Sequence, residues 1–209
     1  MRIDAAYDAW APSYDSQPNR TRDLDALVAR QLTPSPVGGL IVEAGCGTGK
    51  NTGHYAGVCD QVRAVDFSAG MLAVARQRIT AGHVHFQQAD LLQPWPCLAG
   101  SVDRVAFHLV LEHVQDLARV LCQAATTLRP GGQVVISELH PARQYRGSQA
   151  HYLDAAGDPV PVTAHLHHLS DYLGAASRAG LQLLALDEHW HADDARSGVP
   201  RQLSLVLQR

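Results

Sequence analysis

The segment Val42-Glu43-Ala44-Gly45-Cys46-Gly47-Thr48-Gly49-Lys50-Asn51 sets three glycines two residues apart directly after the apolar run Leu40-Ile41-Val42. A glycine-rich turn leaving a buried strand lets the backbone approach a ligand closely and points the first amides of the next helix at it. The spacing decides which ligand. A phosphate-cradling loop has the pattern G-x-x-x-x-G-K-[ST]. Gly49-Lys50 fits its end, but Ala44 stands at the first glycine and Asn51 at the hydroxyl position. A dinucleotide fingerprint is G-x-G-x-x-G, whereas this loop is G-x-G-x-G with Lys50 where the third glycine belongs. Glu43 beside the loop repels a pyrophosphate and suits a ligand with a positive end, an ammonium or a sulfonium.

Outward from the loop, short apolar runs alternate with helical stretches. Leu40 to Val42, Val62 to Val65, His83 to Phe86, Val102 to Leu109 and Gln133 to Ile136 read as strands. Ser68 caps a helix with Met71, Leu72, Ala75 and Ile79 on one face. Asp116 caps Leu117 to Leu128, which stops at Arg129-Pro130-Gly131-Gly132. Such alternation predicts βαβ units, a parallel sheet and helices on both faces. The chain ends with Leu181 to Trp190 and Gln202 to Gln208, two alternating segments that predict an antiparallel hairpin at the sheet edge. Together these make a doubly wound, mostly parallel α/β sheet of seven strands, with its binding crevice beyond the strands' carboxyl ends.

Upstream, Thr21 is expected to cap a helix carrying Leu24, Leu27, Val28 and Leu32, and Thr33-Pro34-Ser35-Pro36-Val37-Gly38-Gly39 resembles a linker. Residues 1–36 thus read as an N-terminal helical segment and 37–209 as the main domain. Between about 140 and 170 the rhythm breaks. Two short strands flank Asp154-Ala155-Ala156-Gly157-Asp158-Pro159, and Ser170 is expected to cap Asp171 to Ala179. This stretch leaves the fifth strand at its carboxyl end and reads as an insertion near the crevice.

Composition narrows the function classes. The 209 residues carry 17 Lys+Arg against 20 Asp+Glu, a formal net charge of −3, with 46% apolar residues. Lys50 is the only lysine, which argues against a chain that holds nucleic acid by neutralising phosphates. No apolar run approaches the roughly 20 residues of a membrane helix, and Met1-Arg2-Ile3-Asp4 does not open a signal peptide. Cys46, Cys59, Cys97 and Cys122 form no C-x-x-C pair, and free thiols in a reducing cytoplasm are expected.

Two further acids complete the pattern. Asp66 ends the second strand about 20 residues beyond the loop, where a carboxylate can accept both hydroxyls of a ribose. Asp90, after the third strand, can accept from the exocyclic amine of a base. Acids at three successive strand ends match an ammonium, a ribose and an adenine, and the ligand implied is S-adenosylmethionine.

At this point residues 37–139 resemble a class I S-adenosylmethionine-dependent methyltransferase, of the ubiquinone/menaquinone and small-molecule kind with a Rossmann-like sheet. The matching segments are the glycine loop, Val65-Asp66-Phe67-Ser68-Ala69-Gly70-Met71-Leu72, Ala89-Asp90-Leu91, Val102-Asp103-Arg104-Val105 with Leu109-Val110-Leu111-Glu112-His113-Val114, and Leu128-Arg129-Pro130-Gly131-Gly132. Tyr7-Asp8-Ala9-Trp10-Ala11-Pro12-Ser13-Tyr14-Asp15 is similar to the family's opening segment, whose second tyrosine lies against the cofactor. The resemblance implies that Glu43, Gly45, Gly47 and Gly49 line the methionine half and that Asp66 holds the ribose. It further implies that Phe67 and Met71 flank the adenine, that Asp90 with Leu91 reads its amine, and that His108 and Leu109 lie below the sulfonium.

The acceptor side is read from position. His140 leaves the fifth strand at the crevice end and is the expected general base or orienting group, with Tyr145 in the substrate wall. His113 caps or packs in the turn after the fourth strand. His83-Val84-His85, His165-Leu166-His167-His168 and His189-Trp190-His191 each put two imidazoles on one face if extended, but without a visible third ligand no metal is expected. Methylases of nucleic acid bases carry Asn/Asp-Pro-Pro-aromatic after the fourth strand, where this chain has Phe107-His108-Leu109-Val110. A small organic acceptor, methylated on oxygen or nitrogen, is therefore expected, with no nucleic acid or membrane partner. A nicotinamide-dependent oxidoreductase on a similar sheet and a non-catalytic cofactor-binding module are the alternatives.

Overall fold

The apolar runs after the glycine loop become five parallel strands: β1 (Leu40–Ala44), β2 (Gln61–Asp66), β3 (Val84–Gln88), β4 (Val102–His108) and β5 (Leu128–Leu139). The structure, a computed structural model, describes residues 3–34, 36–95, 97–153 and 157–209. After β5 come a small hairpin, β6 (His151–Leu153) with β7 (Pro159–Pro161), and then the edge pair β8 (Gln182–His189) and β9 (Gln202–Gln208). The main sheet has seven strands in the order β3-β2-β1-β4-β5-β9-β8, with β9 antiparallel to both neighbours. The doubly wound sheet with its antiparallel edge is therefore as expected.

Among the described residues seven α-helices accompany the strands: α1 (Ile3–Trp10), α2 (Arg20–Leu32), α3 (Thr52–Val58), α4 (Ala69–Arg78), α5 (Leu117–Thr127), α6 (Pro141–Gln144) and α7 (Leu169–Arg178). One sheet face buries Phe107, Ile136 and Leu205 against Leu121 of α5 and Ala175 of α7. The other buries Ile41, Val62 and Val135 against Tyr55 of α3 and Leu72 of α4. Each large apolar side chain contributes roughly 1.5–3 kcal/mol on burial, more than a typical helix cap at about 1 kcal/mol. The two sheet faces, rather than helix propensity, hold these elements in place.

Local signals differ from expectation at several ends. Ser68 and Asp116 cap α4 and α5 as anticipated, accepting from the backbone N–H of Met71 and Arg119. The cap of α2 is Asn19, whose Oδ1 accepts from Arg22 N at 3.0 Å; Thr21 lies inside the first turn. α7 starts after His168, whose N–H is held by Asp171 Oδ2 at 2.8 Å, so Ser170 is one residue inside. β5 is much longer than 133–136 because β9 pairs with it from Gln133 to Leu139. The expected turn between β6 and β7 lies partly outside the described residues, at 154–156.

From β1 the chain winds to β2 and β3 on one side and then to β4 and β5 on the other. The direction of winding reverses between β1 and β4, and the binding crevice of such a sheet lies outside the strands' carboxyl ends at that switch point. Among the described residues no helix is long and apolar enough to cross a membrane.

Candidate active site

At the end of β1 the backbone is turned by Gly45, with φ +81°, where an added Cβ would lie 2.3 Å from Val110 Cγ2. Only glycine lets the loop pass so close to the chain leaving β4. Gly45 and Cys46 donate their N–H groups to Val65 O at 2.8 and 3.0 Å, which ties the loop to β2. Asp66, ending β2, accepts from Gly47 N through Oδ2 (2.8 Å) and from Ser68 N through Oδ1 (2.9 Å). Burial pushes its carboxyl up to about 6, against those hydrogen bonds. Burial likewise lifts Glu43 to about 7, although Thr52 Oγ1 donates to its Oε2 at 2.5 Å. Asp90 accepts from Leu92 N at 2.8 Å, fixing the loop after β3.

These groups face one cavity of about 990 Å³ including its mouth. It gathers Tyr14, Glu43, Gly45, Gly47, Asp66, Phe67, Met71, Asp90, Leu91, His108 and Leu109, eleven of the twelve residues expected on the cofactor side. Gly49 is the exception. Its φ of +79° ends the loop, and an added Cβ would lie 3.3 Å from Ala75 Cβ, so it seats the loop against α4.

Beyond β4 the chain bends sharply. Leu109 is the single non-glycine residue with positive φ (+52°) among those described. Such strain is held only where the surroundings over-determine the backbone. Here Leu109 N donates to Ser137 O at 2.9 Å, and Glu138 Oε1 accepts from Val110 N (3.0 Å) and Leu111 N (2.9 Å).

Several cavity residues were not anticipated. Arg22 and Asp25 face inward from α2 with Val28 and Ala29; two charges on an otherwise apolar helix face are the signal that could have marked them. Asp25 Oδ1 lies 3.0 Å from His108 Nδ1, Asn51 Nδ2 donates to Asp25 Oδ2 at 2.8 Å, and Tyr55 Oη lies 2.5 Å from His108 Nε2. Burial opposes charge on both partners, but His108 holds Asp25 below the usual carboxylate range and Asp25 holds His108 above the usual imidazole range. Arg22 lies over the Tyr14 ring at 4.0 Å and donates to Tyr14 O (2.5 Å) and Gln17 O (2.9 Å). Its Nε and Asn51 Oδ1 are buried without a partner, although both side chains line the cavity. An unpartnered donor and an unpartnered acceptor on side chains that line one cavity, with Glu43, suit a zwitterionic amino acid end, and Asp66 and Asp90 suit the adenosyl part. The residues fit the cofactor implied by the sequence.

The structure does not bring His140 or Tyr145 to this cavity. His140 caps α6, its Nδ1 accepting from Ala142 N at 3.1 Å while Nε2 meets Glu188 Oε1 at 3.0 Å. Both ring nitrogens are engaged, so the lone pair a base needs is already used. Tyr145 is exposed, with its hydroxyl 2.8 Å from His168 Nδ1. Histidines of the three runs reach distant backbone carbonyls: His83 meets Ala56 O, His167 Val114 O and His191 Arg20 O through Nε2. Among the described residues no three His, Cys, Asp or Glu side chains gather as metal ligands would. His113, read as a capping or packing residue, instead lines the cavity beside Tyr7.

Comparison with known proteins identifies the family. Residues 42–136 match the family model described as a methyltransferase domain. An uncharacterized methyltransferase of Emericella nidulans is 30% identical over 220 residues, with 87% of this chain and 76% of that protein aligned. The malonyl-[acyl-carrier protein] O-methyltransferase of Yersinia pestis is 31% identical over 171 residues, covering 82% of this chain and 59% of its own length. Among solved structures, the DhpI–SAH complex superposes with a TM-score of 0.76 at 23% identity, over 98% of this chain and 94% of that one.

Proposed function

Because the chain belongs to the class I S-adenosylmethionine-dependent methyltransferases, we propose that it moves a methyl group to an oxygen or nitrogen of a small organic acceptor. The dehydrogenase reading of the glycine loop falls with that membership. The observation that carries the proposal is the single cavity in which Glu43, Asp66 and Asp90 face the same space. In this reading Glu43 and Asn51 Oδ1 take the ammonium, and Arg22 Nε takes the carboxylate of the methionine end. The backbone at Gly45 and Gly47 leaves room for the chain between them. Asp66 accepts from the ribose hydroxyls, Asp90 with Leu91 takes the exocyclic amine, and Phe67 and Met71 hold the adenine. Tyr14 closes over this half, while His108 and Leu109 form the floor under the sulfur.

When bound, S-adenosylmethionine supplies a methyl group already activated on a sulfonium. The remaining work of the protein is to align an acceptor and keep water out. Residues 1–36 act as a helical cover and 37–209 as the methyltransferase domain, with 140–170 on the acceptor side. Tyr7, Tyr14 and Arg22 from the cover support that division. The four cysteines without a disulfide support a cytoplasmic setting. Calorimetry tests the reading: the chain should bind S-adenosylhomocysteine and not NADH. No heat with S-adenosylhomocysteine at millimolar concentration would overturn it. Labelled cofactor incubated with phenols, quinolones and amines then separates an enzyme from a silent binding module.

A further inference from the structure

Tyr7 and His113 both line the cavity, and their mutual geometry fixes where the protons are. His113 Nδ1 lies 2.7 Å from Thr163 O, a carbonyl that can only accept, so Nδ1 carries the hydrogen. His113 Nε2 therefore offers its lone pair, and Tyr7 Oη, 2.7 Å away, donates to it. The phenol oxygen keeps its own lone pairs for a second partner. The rings meet edge to face with centroids 5.3 Å apart, and Tyr7 also stacks on Trp10 at 5.7 Å. The arrangement is held from three elements: α1 carries Tyr7, the turn after β4 carries His113, and the segment after β7 supplies Thr163.

Building on the methyltransferase reading, we propose that Tyr7 and His113 are the proton-accepting pair of the reaction and that the acceptor is a hydroxyl or amine that must lose a proton. The acceptor X–H gives its proton to Tyr7 Oη as the Tyr7 O–H proton passes to His113 Nε2. The electron pair left on X forms the bond to the methyl carbon, and the bond from that carbon to sulfur breaks onto sulfur. His113 ends as an imidazolium with Nδ1–H still on Thr163 O, and its extra proton returns to water after product leaves. Glu112 Oε1, 3.8 Å from Nε2, faces that charge, and His165 opposes it. Around Tyr7 the facing titratable groups are Tyr14, Glu112, Asp66 and Glu138. Burial holds His113 below the usual imidazole range, which keeps it neutral and receptive near pH 7. A carboxylate acceptor, already anionic, would have no use for such a pair.

The test uses the full chain and the variants Tyr7→Phe, which keeps the ring packing, and His113→Gln. S-adenosylhomocysteine binding is measured first, by calorimetry; failure of the unmodified chain to bind sinks the cofactor reading, not the proton pair. Long-range nitrogen–proton NMR should find His113 in the Nδ1–H form, with the Nε2 signal moving in Tyr7→Phe. Transfer from labelled cofactor to a panel of phenol, 4-hydroxyquinoline and aniline should fall by about 100-fold in either variant while S-adenosylhomocysteine affinity stays within about threefold. The deficit should shrink as pH rises toward the acceptor's own ionisation. An Nε2–H tautomer, variants with unchanged rates and pH profiles, or a chain that binds S-adenosylhomocysteine yet methylates only carboxylates or no panel member would overturn the proposal.

Discussion

Asp25 Oδ1 and His108 Nδ1 stand 3.0 Å apart with both side chains buried, one from the helix over the sheet and one from the end of β4. A buried pair is strongly destabilising to break because the remaining charge has no water. Asp25→Ala should lower unfolding free energy by about 3–5 kcal/mol. The pH dependence has two sides. His108 is raised, so its contribution is complete below the ordinary imidazole range and is lost as pH rises through the folded value. Asp25 is lowered, so its contribution is complete above the ordinary carboxylate range and is lost as pH falls through the folded value. Denaturant titrations across pH should show this dome flattened in Asp25→Ala; an unchanged profile would remove the pair from the stability account.

Asp66 offers a sharper link from structure to ligand. Its two oxygens hold Gly47 N and Ser68 N, so the side chain orients the glycine loop while presenting its remaining lone pairs to the cavity. Hydrogen bonds to a charged group contribute about 1.5–3 kcal/mol, so Asp66→Asn should weaken S-adenosylhomocysteine binding by roughly 10- to 150-fold. With Glu43 near 7 and Asp66 near 6, lowering pH from 8 to 5.5 protonates both and removes two anions facing the ligand. Affinity in the unmodified chain should fall over that interval, and the Asp66→Asn chain should show only the upper of the two steps. Calorimetry at half-unit pH intervals reads both outcomes.

The carboxylate row was legible because β1, β2 and β3 are short strands whose ends follow from apolar runs, and a sheet orders such ends in space. The acceptor side was not, because it depends on side-chain direction in the stretch after β5. His140 illustrates the difference. Its position at the strand end was read correctly, yet its ring turns to cap α6 and meet Glu188. Tyr7 and His113 are 106 residues apart, and no local pattern announces that they meet. His140→Ala should therefore leave methyl transfer within about threefold and cost roughly 1 kcal/mol of stability as a lost cap. A loss of turnover near 100-fold at unchanged stability would restore it to the mechanism.

Gly45 and Gly47 differ in what surrounds them, and that difference is measurable. Both have positive φ, but an added Cβ at Gly45 would meet Val110 Cγ2 at 2.3 Å, while at Gly47 nothing lies within 4 Å. Gly47→Ala should show the backbone penalty alone, roughly 1–2 kcal/mol. Gly45→Ala adds a clash with the turn that carries Leu109 and Val110, and should cost clearly more by thermal unfolding. Equal losses at the two positions would mean that the close approach of the two loops is absent in solution.

Arg22 provides a test that separates one end of the ligand from the other. Its two terminal nitrogens donate to Tyr14 O and Gln17 O, and its Nε is buried without a partner on a side chain that lines the cavity. If Nε receives the methionine carboxylate, removing the guanidinium should harm only ligands that have that group. Arg22→Gln should weaken S-adenosylhomocysteine by about 10-fold or more, the worth of a charge-assisted hydrogen bond. Methylthioadenosine, which keeps the adenosine and sulfur but lacks the amino acid end, should bind the two chains alike. Thermal unfolding of the ligand-free proteins controls for the loss of the two carbonyl contacts and the stacking on Tyr14. Equal weakening of both ligands would show that Arg22 shapes the cover as a whole and does not read the carboxylate.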